Sequence, residues 1–463
     1  MNIRMHAVFT FILGYCLTNS TPLFAQNKDK GFLKTNLSLN LSNHRKSIKT
    51  TYFNIGLTTY IKQLNGFGLN IISGNIENDM SGFQLSLLGN ITGKNVNGVQ
   101  ISSLTNIVGD YANGALLGGL VNITGEDANG VQVAGITNLI GENAHGFTTS
   151  GLLNIIGENM TGLQLAGLGN ITGEHAGGVS IGGGFNIVGE SMQGVQLAGL
   201  VNVTGKDMNG LAIGGLINVC GEETKGVGVA GLMNVSNQNS LGIHIAGIAN
   251  KSTYTQSAVQ LAGATNISSK TMNGVQLAPV NYAGTMKGVQ VGLVNLSGKE
   301  THGVQIGLVN HSKDSLGRKV GLINLTPNTH IQAMIFGGNT SKINLGVRFK
   351  NQLIYTILGA GAYYLDLNER FSGSLFYRAG IYFPIVPKLE ISGDLGYFHI
   401  ENFQHSNSSS PRRMYSLQAR INLEYQIMSK LGVFASGGYA VTNPYGCSPY
   451  KKNAIIEAGI VLF

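Results

Sequence analysis

Two short motifs in the chain have the spacing of known catalytic or cofactor-binding sites. Residues 178–182, GVSIG, match the G-x-S-x-G pattern in which a strained turn exposes a nucleophilic serine, here Ser180. Residues 226–231, GVGVAG, match the G-x-G-x-x-G pattern that binds a pyrophosphate, with Gly228 as its second glycine. Both chemistries need a strand, a turn and a following helix, so the surrounding elements decide whether either site exists.

A third candidate is a column of carboxylates. Glutamates recur every sixteen residues at Glu126, Glu142, Glu158, Glu174 and Glu190. Neighbouring carboxylates can bind a divalent cation, but Lys94 and Lys206 fall in the same phase, and solvated carboxylates can turn apart. His145 and His175 lie in different phases. We therefore predict no metal, no cofactor and no catalytic residue.

All three candidates are produced by one internal repeat. Glycine recurs every sixteen residues from Gly66 to Gly242 and again at Gly274, and Ala258 is the exception. Asparagine recurs eight residues further on, at Asn90, Asn106, Asn122, Asn138, Asn154, Asn170, Asn186, Asn202, Asn218, Asn234, Asn250 and Asn266. A short fixed period indicates a modular array. Ser180 thus occupies the position that Gln196 occupies one repeat later.

The repeat unit has the pattern of β-strands broken by tight turns. In residues 195–204, VQLAGLVNVT, Val195 and Leu197 alternate with Gln196 and Ala198, which is the period of a strand. Sixteen residues suit one coil of a β-solenoid, and coils stacked about 4.8 Å apart would place the asparagine amides in a hydrogen-bonded ladder. The alternative is that the same residues form strands of one large antiparallel membrane barrel.

Residues 331–463 differ from the repeats. They contain twenty Phe and Tyr, against seven in residues 66–330. Segments such as KLEISGDLGYFHI and MYSLQARINLEYQIM alternate in polarity and are separated by polar turns, which is typical of outer-membrane β-barrels with aromatic girdles. Phe463 matches the terminal aromatic residue of an outer-membrane assembly signal. We predict an all-β protein in which the solenoid is followed by an antiparallel barrel.

The sequence divides into four parts. Arg4, the apolar run AVFTFILGYCL and the small residue Ala25 are typical of a secretory signal, so we expect residues 1–25 to be removed near Ala25. Residues 26–65 form an N-terminal β segment, 66–330 the repeats, and 331–463 the barrel-like domain. Nowhere do Lys and Arg cluster with aromatic residues as in a nucleic-acid groove, so we predict no nucleic-acid partner.

The GVQLAGLVNV and GVQIGLVN units, the leader and the trailing aromatic segments resemble a family of bacterial surface-repeat proteins of the outer membrane. The resemblance covers most of residues 66–463, implies a location in the envelope and offers no catalytic residues. We expect a non-enzymatic outer-membrane or cell-surface protein with a structural, adhesion or interaction role. Its expected partners are the outer membrane, the assembly machinery, and a surface ligand or envelope partner.

Two other functions stay open at this stage. A single large barrel would act as a passive outer-membrane channel. A solenoid carbohydrate-active enzyme would need carboxylates clustered on one coil face and coils irregular enough to form a cleft, and the regular turns of this repeat argue against it.

Overall fold

The chain is an all-β protein with a parallel β-solenoid of about 17 turns followed by a closed antiparallel barrel of eight strands. This confirms the predicted fold class. The computed structural model describes residues 37–40, 43–44, 50–299, 302–314, 316–351, 353–363, 372–403, 412–445 and 451–463. The expected signal peptide, residues 1–25, lies outside the described residues. In the part of the chain that is described, no helix is long and apolar enough to span a bilayer.

The described residues form two compact units, which divide after Gly263. The strands of the first unit are Leu37–Asn40 (β1), Asn43–His44 (β2), Thr51–Ile61 (β3), Leu64–Ile76 (β4), Met80–Ser86 (β5), Gly89–Thr92 (β6), Val96–Ser102 (β7), Thr105–Val108 (β8), Ala112–Gly118 (β9), Val121–Thr124 (β10), Ala128–Ala134 (β11), Thr137–Ile140 (β12), Ala144–Ser150 (β13), Leu153–Ile156 (β14), Met160–Ala166 (β15), Gly169–Thr172 (β16), Ala176–Gly182 (β17), Phe185–Val188 (β18), Met192–Ala198 (β19), Val201–Thr204 (β20), Met208–Gly214 (β21), Ile217–Cys220 (β22), Thr224–Ala230 (β23), Met233–Ala246 (β24) and Ala249–Ala262 (β25).

The second unit contains the last solenoid strands and the barrel. Its solenoid strands are Thr265–Leu277 (β26), Val280–Met286 (β27), Val289–Val291 (β28), Val294–Ser297 (β29), Val304–Ser312 (β30) and Arg318–Leu325 (β31). Its barrel strands are His330–Gly338 (β32), Ser341–Asn351 (β33), Ile354–Tyr363 (β34), Ser372–Val386 (β35), Leu389–Asn402 (β36), Arg413–Met428 (β37), Leu431–Pro444 (β38) and Lys451–Leu462 (β39).

Each regular coil of the first unit has a seven-residue strand, a two-residue corner, a four-residue strand and a three-residue turn, as β19 and β20 show. Pairing between coils is parallel, and each residue lies opposite the residue sixteen positions away. Met192 pairs with Met208, and Asn202 pairs with Asn218. In a large antiparallel barrel the consecutive segments would pair with opposite directions. The alternative of one large antiparallel barrel is therefore wrong.

The repeated glycine adopts a backbone conformation that other residues avoid. Gly194 has a φ of 131°, and a Cβ added there would lie 2.1 Å from the carbonyl oxygen of Gly178 in the preceding coil. Where Ala258 replaces the glycine, the preceding Ser257 takes a φ of 48° and the pairing register shifts. Glycine is thus required both by its backbone angle and by the close stacking of coils.

The interior of the solenoid is largely polar. In β19 the side chains of Gln196 and Ala198 are buried, whereas Val195 and Leu197 point outward. An apolar strip lines the interior beside the three-residue turns, and it includes Ile140, Ile156, Met160, Val188, Met192, Met208 and Cys220. In the alternating strands, the polar residues therefore point into the solenoid and the aliphatic residues point outward.

The barrel has one end with short connections and one end with longer ones. The connections after β33, β35 and β37 have two residues each, and we call their side the short-turn end. The opposite end carries the two-residue connection after β32 and the connections of eight, ten and six residues after β34, β36 and β38. The chain enters β32 at the short-turn end, and β39 closes the barrel against β32 and ends there too.

Two adjacent glycines test the stacking constraint. Gly178 has a φ of 115°, and a Cβ there would lie 2.2 Å from the carbonyl oxygen of Gly162, whereas a Cβ on Gly177 would meet nothing closer than 3.7 Å. We expect Gly178→Ala to lower the free energy of unfolding by about 1–3 kcal/mol and Gly177→Ala to change it little. Denaturant titration of both variants measures the difference. Equal losses would contradict the requirement for glycine.

Candidate functional site

The repeated asparagines form a column inside the solenoid. Asn186 Nδ2 donates to Asn202 Oδ1 at 3.0 Å, and Asn202 Nδ2 donates to Asn218 Oδ1 at 2.9 Å. Asn202 Nδ2 also donates to the carbonyl of Ile213 in the next coil at 2.8 Å, and only 1% of Asn202 is exposed. Side-chain bonds of 2.8–3.0 Å connect, in order, Asn90, Asn106, Asn122, Asn138, Asn154, Asn170, Asn186, Asn202, Asn218, Asn234 and Asn250.

The column continues in the second unit with residues that the sixteen-residue phase misses. Asn266 donates to Asn281 at 3.1 Å, and further bonds of 2.8–2.9 Å reach Asn295, Asn310 and Asn324. These neighbours are fourteen or fifteen residues apart, because the coils are shorter. For Asn295, Asn310 and Asn324 the sequence signal was the recurring GLVN or GLIN at the corner, whereas Asn281 follows the variant corner APV.

A second internal column holds glutamines. Gln100 Nε2 donates to Gln84 Oε1 at 2.9 Å, and other coils place Gln196 and Gln260 in the same phase. His244 interrupts this column; it is buried, and its Nε2 lies 3.2 Å from the carbonyl oxygen of Leu241. Burial lowers the pKa of His244. Gly228, opposite it in the preceding coil, leaves the space that the imidazole ring needs.

The two motif residues lie on parallel strands. Ser180 is buried in β17, in register with Gln164 and Gln196, and its hydroxyl has no hydrogen-bond partner among the described atoms. Gly228 lies in the middle of β23, which leads into a corner and β24. Neither motif has the strand, turn and helix that its chemistry requires.

The glutamate column lies at the turns on the solenoid surface. Lys206 Nζ lies 2.6 Å from Glu190 Oε1, and this hydrogen bond lowers the pKa of Glu190. The Lys206 side chain is about half exposed and that of Glu190 about one-third exposed. Within the described ranges, no group of three or more His, Cys, Asp or Glu is arranged to hold a metal ion.

Ion pairs cross the lumen of the barrel. Arg348 on β33 makes a bidentate contact with Glu424 on β37, four strands away, with Nη1–Oε2 at 2.6 Å and Nη2–Oε1 at 2.8 Å. Arg378 on β35 makes a bidentate contact with Asp394 on the adjacent strand β36, with Nε–Oδ1 at 2.9 Å and Nη2–Oδ2 at 2.6 Å. Arg420 and Lys350 pair with Glu457 and Glu390 respectively. These four cations thus face four carboxylates inside the barrel.

Aromatic side chains fill the adjacent part of the lumen. Phe376 and Phe398 stack with their ring centroids 4.8 Å apart, and Phe336 packs edge-on against Phe376 and Phe434. All four are buried. The ion pairs and these rings together occupy the lumen, so the barrel interior is a packed core.

The outer wall of the barrel is apolar. Along β37 exposed and buried residues alternate, with Leu417 and Ile421 facing outward. Several aliphatic side chains of the wall are about two-thirds exposed, namely Leu375 (65%), Leu395 (71%), Ile421 (65%) and Ile456 (69%). A contiguous exposed surface of this kind marks contact with lipid or another protein.

The solenoid also exposes one apolar line. The second residue of the corner between the two strands of a coil is a large aliphatic in most coils, and Leu200 is an example. We call this column the apolar corner; its exposed members are Leu88, Leu104, Leu120, Ile136, Leu152, Leu168, Leu200, Leu216, Leu232 and Ile248 in the first unit and Leu293 and Leu308 in the second. Every Asp and Glu that the structure describes between residues 66 and 330 falls in the turn at the opposite side of the coil.

Comparisons with known proteins add little. No family model matches the chain, and no curated protein matches it. Among solved structures, the chain is similar to the crystal structure of the N-terminal β-barrel domain of OprF from Pseudomonas aeruginosa, with 16% identity and a TM-score of 0.22. The similarity covers 28% of this chain and 95% of that one. Such a distant likeness says nothing about function.

The asparagine column predicts a large cost for one substitution. Asn202→Leu would leave an amide hydrogen of Asn186, the carbonyl oxygen of the Asn218 side chain and the Ile213 carbonyl without their present partners. At about 1–3 kcal/mol for each buried unpaired group, the loss exceeds that of an ordinary surface change. The control Gln193→Leu, at an exposed position of the same coil, should stay within about 0.5 kcal/mol. Denaturant midpoints measure both, and an Asn202→Leu protein as stable as the control would rule out a structural role.

The buried histidine predicts acid sensitivity. Burial holds the pKa of His244 below its unfolded value of about 6.5, so the unfolded chain binds the proton more readily. The neutral ring's contribution is therefore complete above pH 6.5 and is lost as the pH falls through the folded pKa. His244→Gln, the residue of neighbouring coils, should flatten the fall in stability between about pH 7 and 5. The free energy of unfolding of both proteins is measured across this pH range. If it falls equally steeply in His244→Gln and in the native protein, the prediction is refuted.

Proposed function

We propose that this chain is a non-enzymatic outer-membrane protein whose barrel anchors it in the bilayer and whose solenoid is a structural, adhesion or interaction arm. The observation that carries the proposal is the combination of an apolar outer wall with a polar, ion-paired lumen. In a small closed barrel surrounded by water, side chains such as Leu395, which is 71% exposed, would be expected in the lumen, because burying a large aliphatic side chain away from water lowers the free energy.

Lipid accounts for the barrel's outer wall. A barrel that spans a membrane needs an apolar band on its outside. Such side chains are present at Leu375, Leu395, Ile421 and Ile456. The closed barrel also pairs its strands all the way round, which a structure in hydrocarbon must do because water cannot satisfy an open edge. Phe463 and the leader suit export and delivery to the outer-membrane assembly machinery.

The other functions have weaker support. A passive channel needs an open lumen, and here Arg348 and Glu424 bridge it between strands on opposite sides. A solenoid carbohydrate-active enzyme needs a cleft with facing carboxylates, whereas the Glu190 carboxylate is exposed at a regular turn and is paired with Lys206. A non-enzymatic role is the interpretation most consistent with both features.

Fractionation tests the anchor. We expect the native protein in the outer-membrane fraction, released only by detergent. Leu395→Arg places a charge on the lipid-facing wall at a cost of up to about 2–4 kcal/mol and should reduce the amount of assembled protein, as should deletion of Phe463.

The matched control is Leu316→Arg, because Leu316 is 63% exposed, against 71% for Leu395, but lies outside the barrel. It should leave assembly unchanged. Native protein recovered in the soluble periplasmic fraction would refute the anchor, and so would equal tolerance of the two arginines.

A further inference from the structure

We propose that the solenoid lies on the side of the membrane that faces the short-turn end, the periplasmic side, and that the apolar corner of its last coils, at Leu293 and Leu308, contacts the lipid of that leaflet. The inference rests on the proposed function, because it takes the barrel to span the outer membrane. It adds the sidedness of the repeats and the chemistry of their partner surface.

The lengths of the connections carry the sidedness. Outer-membrane barrels turn tightly on the periplasmic side and have their longer loops outside the cell. Here the two-residue connections after β33, β35 and β37 define one end, and the longest connections lie at the other. The last coil, β31, leads into β32 at the short-turn end through residues 326–329. The attached coils therefore start on the periplasmic side.

The last coil is bonded to the outer wall of the barrel. Thr356 Oγ1 donates to the carbonyl of Leu322 at 2.8 Å, and Tyr377 OH donates to the carbonyl of Gly321 at 3.1 Å. Thr356 points outward, because its neighbours Tyr355 and Ile357 pack inside the lumen. Tyr377 likewise alternates with the inward-facing Phe376 and Arg378.

A third hydrogen bond places this contact near the short-turn end of the barrel. Asn351 Nδ2, at the end of β33, donates to the carbonyl of Asn324 at 2.8 Å, so the contact lies beside a two-residue turn. Gly321 and Leu322 occupy the corner of the last coil. The apolar corner thus begins on the surface that lipid covers in an outer-membrane barrel, close to its periplasmic rim.

The chemistry of the corner fits a lipid surface. Leu293 and Leu308, in the two coils before the junction, are about half exposed. The nine-residue stretch centred near the corner contains no Asp or Glu in any repeat, and the cations Lys251 and Arg318 lie at its margins. Aliphatic side chains beside scattered cations are what an interfacial surface presents to acyl chains and anionic headgroups. Acidic residues, which anionic lipid would repel, are confined to the opposite turns.

Tryptophan provides a direct test because the chain contains none. Full-length variants with one tryptophan each, Leu308→Trp and Leu293→Trp, are reconstituted into phospholipid vesicles with or without brominated acyl chains, which quench indole emission on contact. Leu395→Trp on the barrel wall reports on insertion of the barrel. Lys313→Trp, at an exposed turn of the coil that contains Leu308, is the matched control.

We expect brominated lipid to remove most of the emission of Leu395→Trp, Leu308→Trp and Leu293→Trp, and to leave that of Lys313→Trp unchanged. If Leu395→Trp is quenched and either corner tryptophan is not, lipid contact by the corner is overturned while the anchor stands. A blue-shifted but unquenched corner tryptophan overturns it in favour of a second copy or a protein partner. If Leu395→Trp itself is unquenched, the proposed function fails.

Epitope insertion tests the sidedness separately. One variant carries the epitope in the ten-residue connection between β36 and β37, and another carries it after Asp207 in a solenoid turn. On intact cells we expect antibody to bind the first variant alone, and to bind the second only after the outer membrane is permeabilised. Binding of the Asp207 variant on intact cells would overturn the periplasmic assignment and favour an adhesion role.

Discussion

The hydrogen-bonded column of asparagine amides is the constraint on which the solenoid depends. Each amide nitrogen in the regular coils bonds to the asparagine of the next coil, and most also bond to a carbonyl there, as Asn186 and Asn202 do. A buried amide is costly unless its partners are present, so the position of the asparagine relative to the corner has to be kept. The shorter coils obey the same rule: they lose residues at corners and turns, and Asn295 and Asn310 still meet at 2.8 Å.

This polar interior explains why so much aliphatic surface faces outward. Asn, Gln, Thr and Ser point into a thin coil, so the Val, Leu and Ile that alternate with them along the strands point outward. The barrel also has a polar interior and an aliphatic exterior. Its lumen holds arginine–carboxylate pairs, and its outer wall is aliphatic. Charged groups fully buried in the barrel are tolerated because each is paired with an opposite charge, and some make further hydrogen bonds, as Arg378 does with Asn422 besides Asp394.

The sequence was sufficient to predict the class of fold. It was insufficient to predict which face of each strand points into the solenoid. The sixteen-residue count favoured parallel stacking and predicted the column from Asn90 to Asn266, but it also fitted the strands of one antiparallel barrel, and the structure decided between the two. The alternation of Val195 with Gln196 is symmetric, however, and does not say which face is inside. Asn281 and Asn324 were not predicted because they lie in shorter coils and fall outside the sixteen-residue phase. Arg348 and Glu424 are 76 residues apart, and their meeting depends on closure of the barrel, which no local pattern records.

The exact superposition of coils also bears on how such a gene can change. Because residues bond to their counterparts sixteen positions away, from Met80 to Ala230 without a shift in register, the gain or loss of sixteen codons in frame leaves every remaining contact with an equivalent neighbour. Unequal recombination between near-identical repeats can therefore lengthen or shorten the array by one coil at a time. Each such step changes the length of the solenoid and leaves the packing of the remaining coils unchanged. The shortened coils next to the barrel lack this freedom, so the array is expected to vary among relatives at its middle and to keep its junction.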